Sequence, residues 1–164
     1  MAASLADFAA DMPSLRAILT NTKVIAMVGL SANWHRPSHF CAKYLQEHGY
    51  RVIPVNPAYT EVLGERCYPN LRAIPEAVEV VDCFRASHEI PAIAADAIAI
   101  GARVLWLQLG VTNLDAACAA RAAGLAVVMD RCVKIEHARL FGGLNFVGVN
   151  TKVISSRRPR YVAN

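Results

Sequence analysis

The sequence predicts a Rossmann-like α/β fold: a doubly wound, parallel five-stranded sheet with helices on both faces. Three observations predict it. Five short runs rich in β-branched and large apolar residues alternate with helix-length stretches along the 164 residues. Three of those stretches stop at a glycine just before the next run begins, at Gly49, Gly101 and Gly124. Apolar residues make up 55% of the chain, the excess expected when parallel strands are buried on both faces and read as near-continuous hydrophobic runs. A strand feeding a helix that returns to a neighbouring strand is a βαβ unit, and its right-handed crossover dictates a single parallel sheet.

In chain order, a helix is expected over residues 12–20, packed against the core. Strand-like runs follow at 23–30 (KVIAMVGL), 50–55 (YRVIPV), 78–84 (VEVVDCF), 103–109 (RVLWLQL) and 125–130 (LAVVMD). The helix expected over 38–48 opens after Pro37 and stops at Gly49, the usual placement of proline at the start and glycine past the end. The alanine-rich stretch 89–100 stops at Gly101, and 113–123 opens on the capping residue Asn113. A further helix over 70–77 is a weaker expectation because Pro75 lies inside it. Residues 140–155 read as a loop followed by an added strand. No internal repeat, low-complexity segment or linker divides the chain. It is therefore expected to form one domain, with a core at about 22–137, the N-terminal helix at 12–20 and a C-terminal extension at 138–164.

Composition excludes several classes. A membrane span needs about 20 apolar residues, and the most apolar stretch, 90–109, is interrupted by Asp96, Gly101 and Arg103. The first 21 residues carry Asp7 and Asp11 and lack the basic-then-apolar order of a secretory signal, so a cytoplasmic location is expected. The five cysteines, Cys41, Cys67, Cys83, Cys118 and Cys132, are odd in number and without a CxxC pair. That argues against a disulfide framework and a structural zinc site, and predicts buried small hydrophobes. The net charge of +4 sits partly in Arg157, Arg158 and Arg160, a short basic tail that reads as a solvated end rather than a nucleic-acid contact.

In open α/β sheets, ligands bind beyond the carboxyl ends of the strands, where strand order reverses. The first such loop, Gly29-Leu30-Ser31-Ala32-Asn33-Trp34-His35-Arg36-Pro37-Ser38, is the most informative. Gly29 lets backbone approach a ligand, a helix starting near Ser38 offers free N–H groups, and Arg36 adds a charge. Taken singly, each has a plainer role as turn, cap or solvated side chain. Together, after the first strand, they make an anion site suited to a pyrophosphate. Ordinary NAD binding is disfavoured. The loop lacks GxGxxG, and the second strand ends in Val55-Asn56-Pro57 with no carboxylate before Glu61.

Several blocks in order resemble a known family. They are VGLS and RPS at 28–31 and 36–38, GYRVIPVNP at 49–57, LGERCYPNL at 63–71, VDCFR at 81–85, WLQLGV at 106–111, and AGLAVVMDRC followed by Glu136. They are similar to the small CoA-binding proteins, whose fold also forms the CoA-binding domain of succinyl-CoA synthetase and of ADP-forming acyl-CoA synthetases. The likeness covers about 24–136. It implies that coenzyme A or an acyl-CoA is held by the loop from Gly29 and Leu30 to Pro37, with Gly29, Ser31, Arg36 and Ser38 at the phosphates. It also implies that Asn56 and Pro57 flank the adenosine, and that Phe84, Arg85, Gln108, Gly110 and Val111 line the pantetheine path. The synthetases phosphorylate a histidine in a separate domain and use an ATP-grasp subunit, and a chain of this length has room for neither. His35, His39, His48, His88 and His137 match no phosphohistidine motif, so they are expected at the surface or in packing.

Enzyme readings find little support from the residues. Cys132, beside Arg131 at a strand end, is the best nucleophile candidate, but no histidine base can be paired with it from sequence. Cys132 or Cys83 could instead form a mixed disulfide with the CoA thiol. Asp130 and Glu136 are the carboxylates near the mouth of the later strands, expected in an ion pair or a loop hydrogen bond. Trp106 is expected in the core, and Trp34 could stack on a base or lid the site. The expected function is a stand-alone module binding CoA or acyl-CoA as carrier, sensor or partner subunit, with no catalytic group, no metal and no membrane contact. The alternatives are a nucleotide-dependent oxidoreductase or transferase using the same strand ends, and a regulator binding nucleic acid through the basic tail.

Overall fold

The computed structural model describes residues 3–8 and 10–142. A 3-10 turn, Leu5–Phe8, precedes α1 (Met12–Asn21), β1 (Val24–Val28), α2 (Pro37–Glu47) and β2 (Arg51–Val55). A two-residue-armed hairpin, β3 (Glu61–Val62) and β4 (Glu65–Arg66), and a 3-10 turn at Leu71–Ala73 lead to β5 (Val80–Cys83). The chain continues through a 3-10 turn at Ser87–Glu89, α3 (Ile90–Ala99), β6 (Val104–Leu107), α4 (Leu114–Ala122), β7 (Ala126–Val128) and α5 (Val133–Phe141).

The main sheet has five parallel strands in the order β2-β1-β5-β6-β7, which is the predicted fold class. The chain steps outward from β1 to β2 and then crosses back to lay β5 on the other side of β1. Strand order therefore reverses between β1 and β5, and the crevice above that point is where a ligand belongs.

Because side chains alternate along a strand, the sheet carries a core on each face. Ile25, Met27, Val80, Val104, Trp106 and Val128 meet Leu15 and Leu19 of α1, Cys41 and Leu45 of α2, and Val133 and Leu140 of α5. On the opposite face Ala26, Val81, Cys83, Leu105 and Leu107 meet Ala94 and Ala97 of α3 and Ala116, Ala117 and Ala120 of α4. Alanine on these two helices keeps them close to the sheet and to each other. Trp106 is fully enclosed, as expected, and its indole N–H donates to the Arg131 carbonyl at 2.7 Å, tying β6 to the loop after β7. The outer edge of β2 is covered: Tyr68 N–H donates to Pro54 O and Asn56 N–H to Tyr68 O, both at 2.9 Å. Pro54 can occupy this strand because it lies at the sheet edge, where a missing donor costs least.

Every predicted strand contains an observed one, and the helices at 12–20, 38–48, 89–100 and 113–123 form within a residue or so of the expected bounds. Two expectations are corrected. The helix over 70–77 does not form. Asn70 Oδ1 accepts from Ala73 N at 3.0 Å and caps a single 3-10 turn, after which Pro75 halts propagation. Conversely, α5 occupies 133–141, where the reading placed the end of the core and the start of an extension. Its inward face includes Glu136 and His137, so the apolar period that marks a helix is broken. The hairpin β3–β4 was also not anticipated. It turns at Leu63-Gly64, both with positive φ (53° and 76°), as a two-residue hairpin turn requires. The added strand within 140–155 and the arginines at 157–160 lie outside the described residues, apart from the end of α5. Among the described residues no helix is long and apolar enough to cross a membrane.

Candidate functional site

Gly29 ends β1 at the reversal point with φ +86°, a conformation that L side chains rarely adopt. Its N–H donates to the Val55 carbonyl at 2.9 Å. A Cβ at this position would lie 2.5 Å from the Phe84 carbonyl oxygen. Glycine is thus required twice, by backbone angle and by the approach of the chain leaving β5.

The loop that follows is closed by its own polar groups. Leu30 sends its side chain into the core, and only its carbonyl engages the site side, accepting from Asn56 Nδ2 at 3.1 Å. Ser31 N–H donates to the buried Ser38 hydroxyl at 3.1 Å, and Ser31 Oγ accepts from Asn33 N at 3.1 Å. His39 Nδ1 lies 3.0 Å from the Ser31 carbonyl. Pro37 takes the first position of α2, and no side chain caps that N-terminus, which leaves it open to an anion. Arg36 is exposed and forms no ion pair among the described residues. Trp34 is 63% exposed, with its ring 3.6 Å from that of His35.

Beside this loop a cleft of about 320 Å³ opens between the ends of β1 and β2 and the start of α3. Gly29, Asn56, Pro57 and Arg85 line it together with Leu71, Glu89 and Ile93. Four of the predicted residues are thus brought to one cavity, while Ser31, Arg36, Pro37 and Ser38 form the adjoining loop. Arg85 is held by Glu89, with Nη2 and Nε at 2.6 and 3.1 Å from the same carboxylate oxygen. The Arg85 bond, with help from the Ala86 N–H, keeps the Glu89 carboxyl below the usual range.

The remaining predicted residues lie along the neighbouring strand ends and do not line the cleft. Phe84 is half-buried, with its side chain against the α2-side core. Gly110 has φ +84° and donates its N–H to Asp130 Oδ1 at 2.6 Å, the loop hydrogen bond expected of Asp130. Val111 packs against the α3/α4 core. Gln108 is buried, and its amide donates to Asp82 Oδ1 at 2.6 Å.

Asp82 escaped the sequence reading. It is fully enclosed in β5, and burial pushes its carboxyl up to about 8. Its second oxygen, Oδ2, has no hydrogen-bond partner among the described residues. The signal was present: a carboxylate inside VVDCF, in a strand expected to be buried on both faces, is an anomaly that calls for a role. Nearby, at the start of α5, the Cys132 thiol is lowered to about 6, first by a hydrogen bond with the Cys41 thiol and then by the backbone N–H groups of Ile135 and Lys134. The expectation that all five cysteines are buried is therefore corrected: Cys118 is exposed and Cys132 is half-exposed. Cys83 faces the opposite core, where burial pushes its thiol well up. Glu136 is enclosed and paired with Arg131 at 3.1 Å and with Arg139, the ion-pair role expected of it. Among the described residues no group of three or more His, Cys, Asp and Glu side chains is placed to hold a metal ion.

Known proteins share this fold. The uncharacterized protein YneT of Bacillus subtilis is 38% identical over 124 residues, covering 76% of this chain and 92% of YneT. A 58-residue stretch is 38% identical to the ADP-forming acetate–CoA ligase I of Archaeoglobus fulgidus, covering 35% of this chain but 8% of that enzyme. The solved structure of a hypothetical protein from Pyrococcus horikoshii OT3 superposes with a TM-score of 0.79 at 44% identity, over 81% of this chain and 94% of that one. The family model described as the CoA binding domain matches residues 23–138, and the chain belongs to that CoA-binding domain family.

Proposed function

We propose that this protein is a stand-alone binding module for coenzyme A or an acyl-CoA, seated in the cleft at the β1/β5 reversal point. The observation that carries the reading is the convergence of Gly29, Asn56, Pro57 and Arg85 on one cavity, beside a helix N-terminus that no side chain caps. The cleft is of the size that takes part of a nucleotide. Asn56 and Pro57 border the adenosine. The α2 N-terminus, Ser31, Ser38 and the guanidinium of Arg36 meet the phosphates, whose charge suits both the helix end and the arginine. Arg85 joins them by exchanging Glu89 for a phosphate oxygen. The pantetheine then runs over the strand ends past Phe84 and the Gln108–Val111 turn. As such a module it serves as carrier, sensor or partner subunit.

Isothermal titration with CoA, acetyl-CoA, NAD, NADP and ATP tests this. Selective binding of CoA or acetyl-CoA is expected, weakened by Arg36→Ala roughly tenfold, the loss of one exposed charge-assisted contact of about 1.4 kcal/mol. Asn56→Ala should weaken all adenine ligands alike. Preference for NAD or NADP, or no binding by any of the five ligands, would overturn the reading.

A further inference from the structure

On the α2/α5 face of the sheet an acidic side chain is sealed between apolar neighbours. Asp82 of β5 stands beside Met27 of β1 and Trp106 of β6, its register partners, and all three are fully enclosed. Asp82 Oδ1 accepts from Gln108 Nε2 at 2.6 Å, while Oδ2 is enclosed and has no partner among the described residues. A buried oxygen left without a donor is costly, and a valine, like Val80 and Val81 in the same strand, would fill this place in the core without that penalty. The cost is explained if Oδ1 has a task.

Gln108 indicates that task. It directly follows β6 and lies two residues beyond Trp106, so its side chain stands on the same face of the sheet, at the carboxyl ends of the strands. That is the face covered by α2, whose open N-terminus adjoins the loop after β1. The Gln108 backbone is occupied in the turn: its N–H donates to the Cys83 carbonyl at 3.4 Å, and its carbonyl accepts from Val111 N at 2.8 Å. The side-chain Oε1 accepts from no described residue and is not sealed in, so the 3% of Gln108 that stays exposed includes this oxygen.

A free carboxamide presents either a donor or an acceptor, depending on which way it is turned. Asp82 removes that choice. An ionised carboxylate only accepts, and in the neutral acid, which burial favours, a proton on Oδ2 leaves Oδ1 as a carbonyl acceptor. The Gln108 NH₂ therefore faces inward and Oε1 outward. We infer that Asp82 is a positioning residue of the proposed CoA site, fixing Gln108 Oε1 as the acceptor for an amide N–H of the pantetheine arm. The inference rests on the CoA reading, in which the arm leaves phosphates held at the start of α2 and crosses these strand ends. A nucleotide without the arm brings no donor to Oε1, so the Asp82–Gln108 pair contributes to affinity for CoA and not to affinity for its adenosine half.

Calorimetric titration of the full-length protein with CoA and with adenosine 3′,5′-bisphosphate, which lacks the pantetheine arm, tests this. Asp82→Val leaves the Gln108 NH₂ without its buried acceptor and free to turn outward, and should weaken CoA roughly tenfold, the worth of one hydrogen bond made or missed, with the bisphosphate unchanged. Asp82→Asn still offers an oxygen to the Gln108 amide and should keep the parent's affinity for both. Gln108→Leu should lose as much CoA affinity as Asp82→Val, and the double variant no more than either, because Asp82 acts through Gln108. Equal weakening of both ligands by Asp82→Val would reduce Asp82 to a folding role. Additive losses in the double variant, or Asp82→Asn as weak as Asp82→Val, would also overturn the inference. CoA binding that no variant alters sinks this inference alone, whereas no CoA binding by the parent sinks the CoA reading and the inference with it. Should Asp82→Val fail to fold, NMR of the parent decides. The Gln108 side-chain NH₂ protons should be protected from exchange both without and with CoA, and fast exchange in either state would show that Asp82 does not hold them.

Discussion

At Gly29 the fold and the site make the same demand. The residue is held at φ +86°, and the Phe84 carbonyl occupies the space a side chain would need. Gly29→Ala is expected to destabilise the protein by about 2 kcal/mol or more, since strain and a backbone clash combine. The denaturant midpoint should fall with an unchanged m-value. Asp82 gives a prediction of a different kind. Its folded pKa of about 8 lies far above the ordinary 3.8 because burial disfavours the charge. Between those pH values the unfolded chain has lost the proton and the folded one keeps it, so stability falls as pH rises, by about 1.4 kcal/mol per unit. Asparagine cannot titrate. Asp82→Asn should therefore gain stability relative to the parent between pH 5 and pH 8, measured by denaturation at both. An equal difference at the two pH values would mean that Asp82 is ionised in the folded state.

The elements around the site differ in how visibly the sequence announces them. In α2, Pro37 and Ser38 start the helix and also close the loop after β1, while Gly49 stops the helix at its other end, so all three were readable together. Ser38 links the two roles, because its buried hydroxyl receives the Ser31 N–H. Ser38→Ala should cost about 1 kcal/mol of stability and loosen the loop, weakening CoA binding more than the stability loss alone explains, as paired denaturation and titration would show. The strand-end residues were legible because each follows a hydrophobic run, which fixed Gly29, Asn56 and Arg85 near one mouth. The cleft's far wall was not. Leu71 and Ile93 reach it through a 3-10 turn and through α3, and neither placement leaves a pattern in the chain. Helix α5 was hidden for a related reason. Its inward face depends on Glu136 neutralised by Arg131 and Arg139, and such pairing is tertiary information. Removing the carboxylate leaves two partly buried guanidinium groups uncompensated, so Glu136→Ala should cost about 3 kcal/mol. Thermal melts followed by circular dichroism would measure it, and a change under 1 kcal/mol would show that water already serves the arginines.

For the whole molecule, the central strands belong to both cores at once. Val80 and Val81, or Leu105 and Trp106, are neighbours in one strand yet pack on opposite helix layers. Neither layer can dissolve without exposing the other face of the same sheet, so unfolding should be a single transition. Trp106 fluorescence reports the α2 side and Cys83 thiol exposure the α3 side, and the two should lose native signal at the same denaturant concentration. Ligand binding acts on that same equilibrium. The cleft is built from the ends of β1 and β2, the turn after β4 and the start of α3, parts that separate when the sheet unfolds, so under the proposed function CoA binds the folded state alone. At a hundredfold excess over its Kd, such a ligand adds about 2.7 kcal/mol, which for a chain of this size raises Tm by roughly 5–10 °C. The same excess of NAD should shift it little. If CoA raised Tm but the Trp106 and Cys83 transitions separated in its presence, the site would belong to one layer alone, and the sheet would not be the element that couples binding to folding.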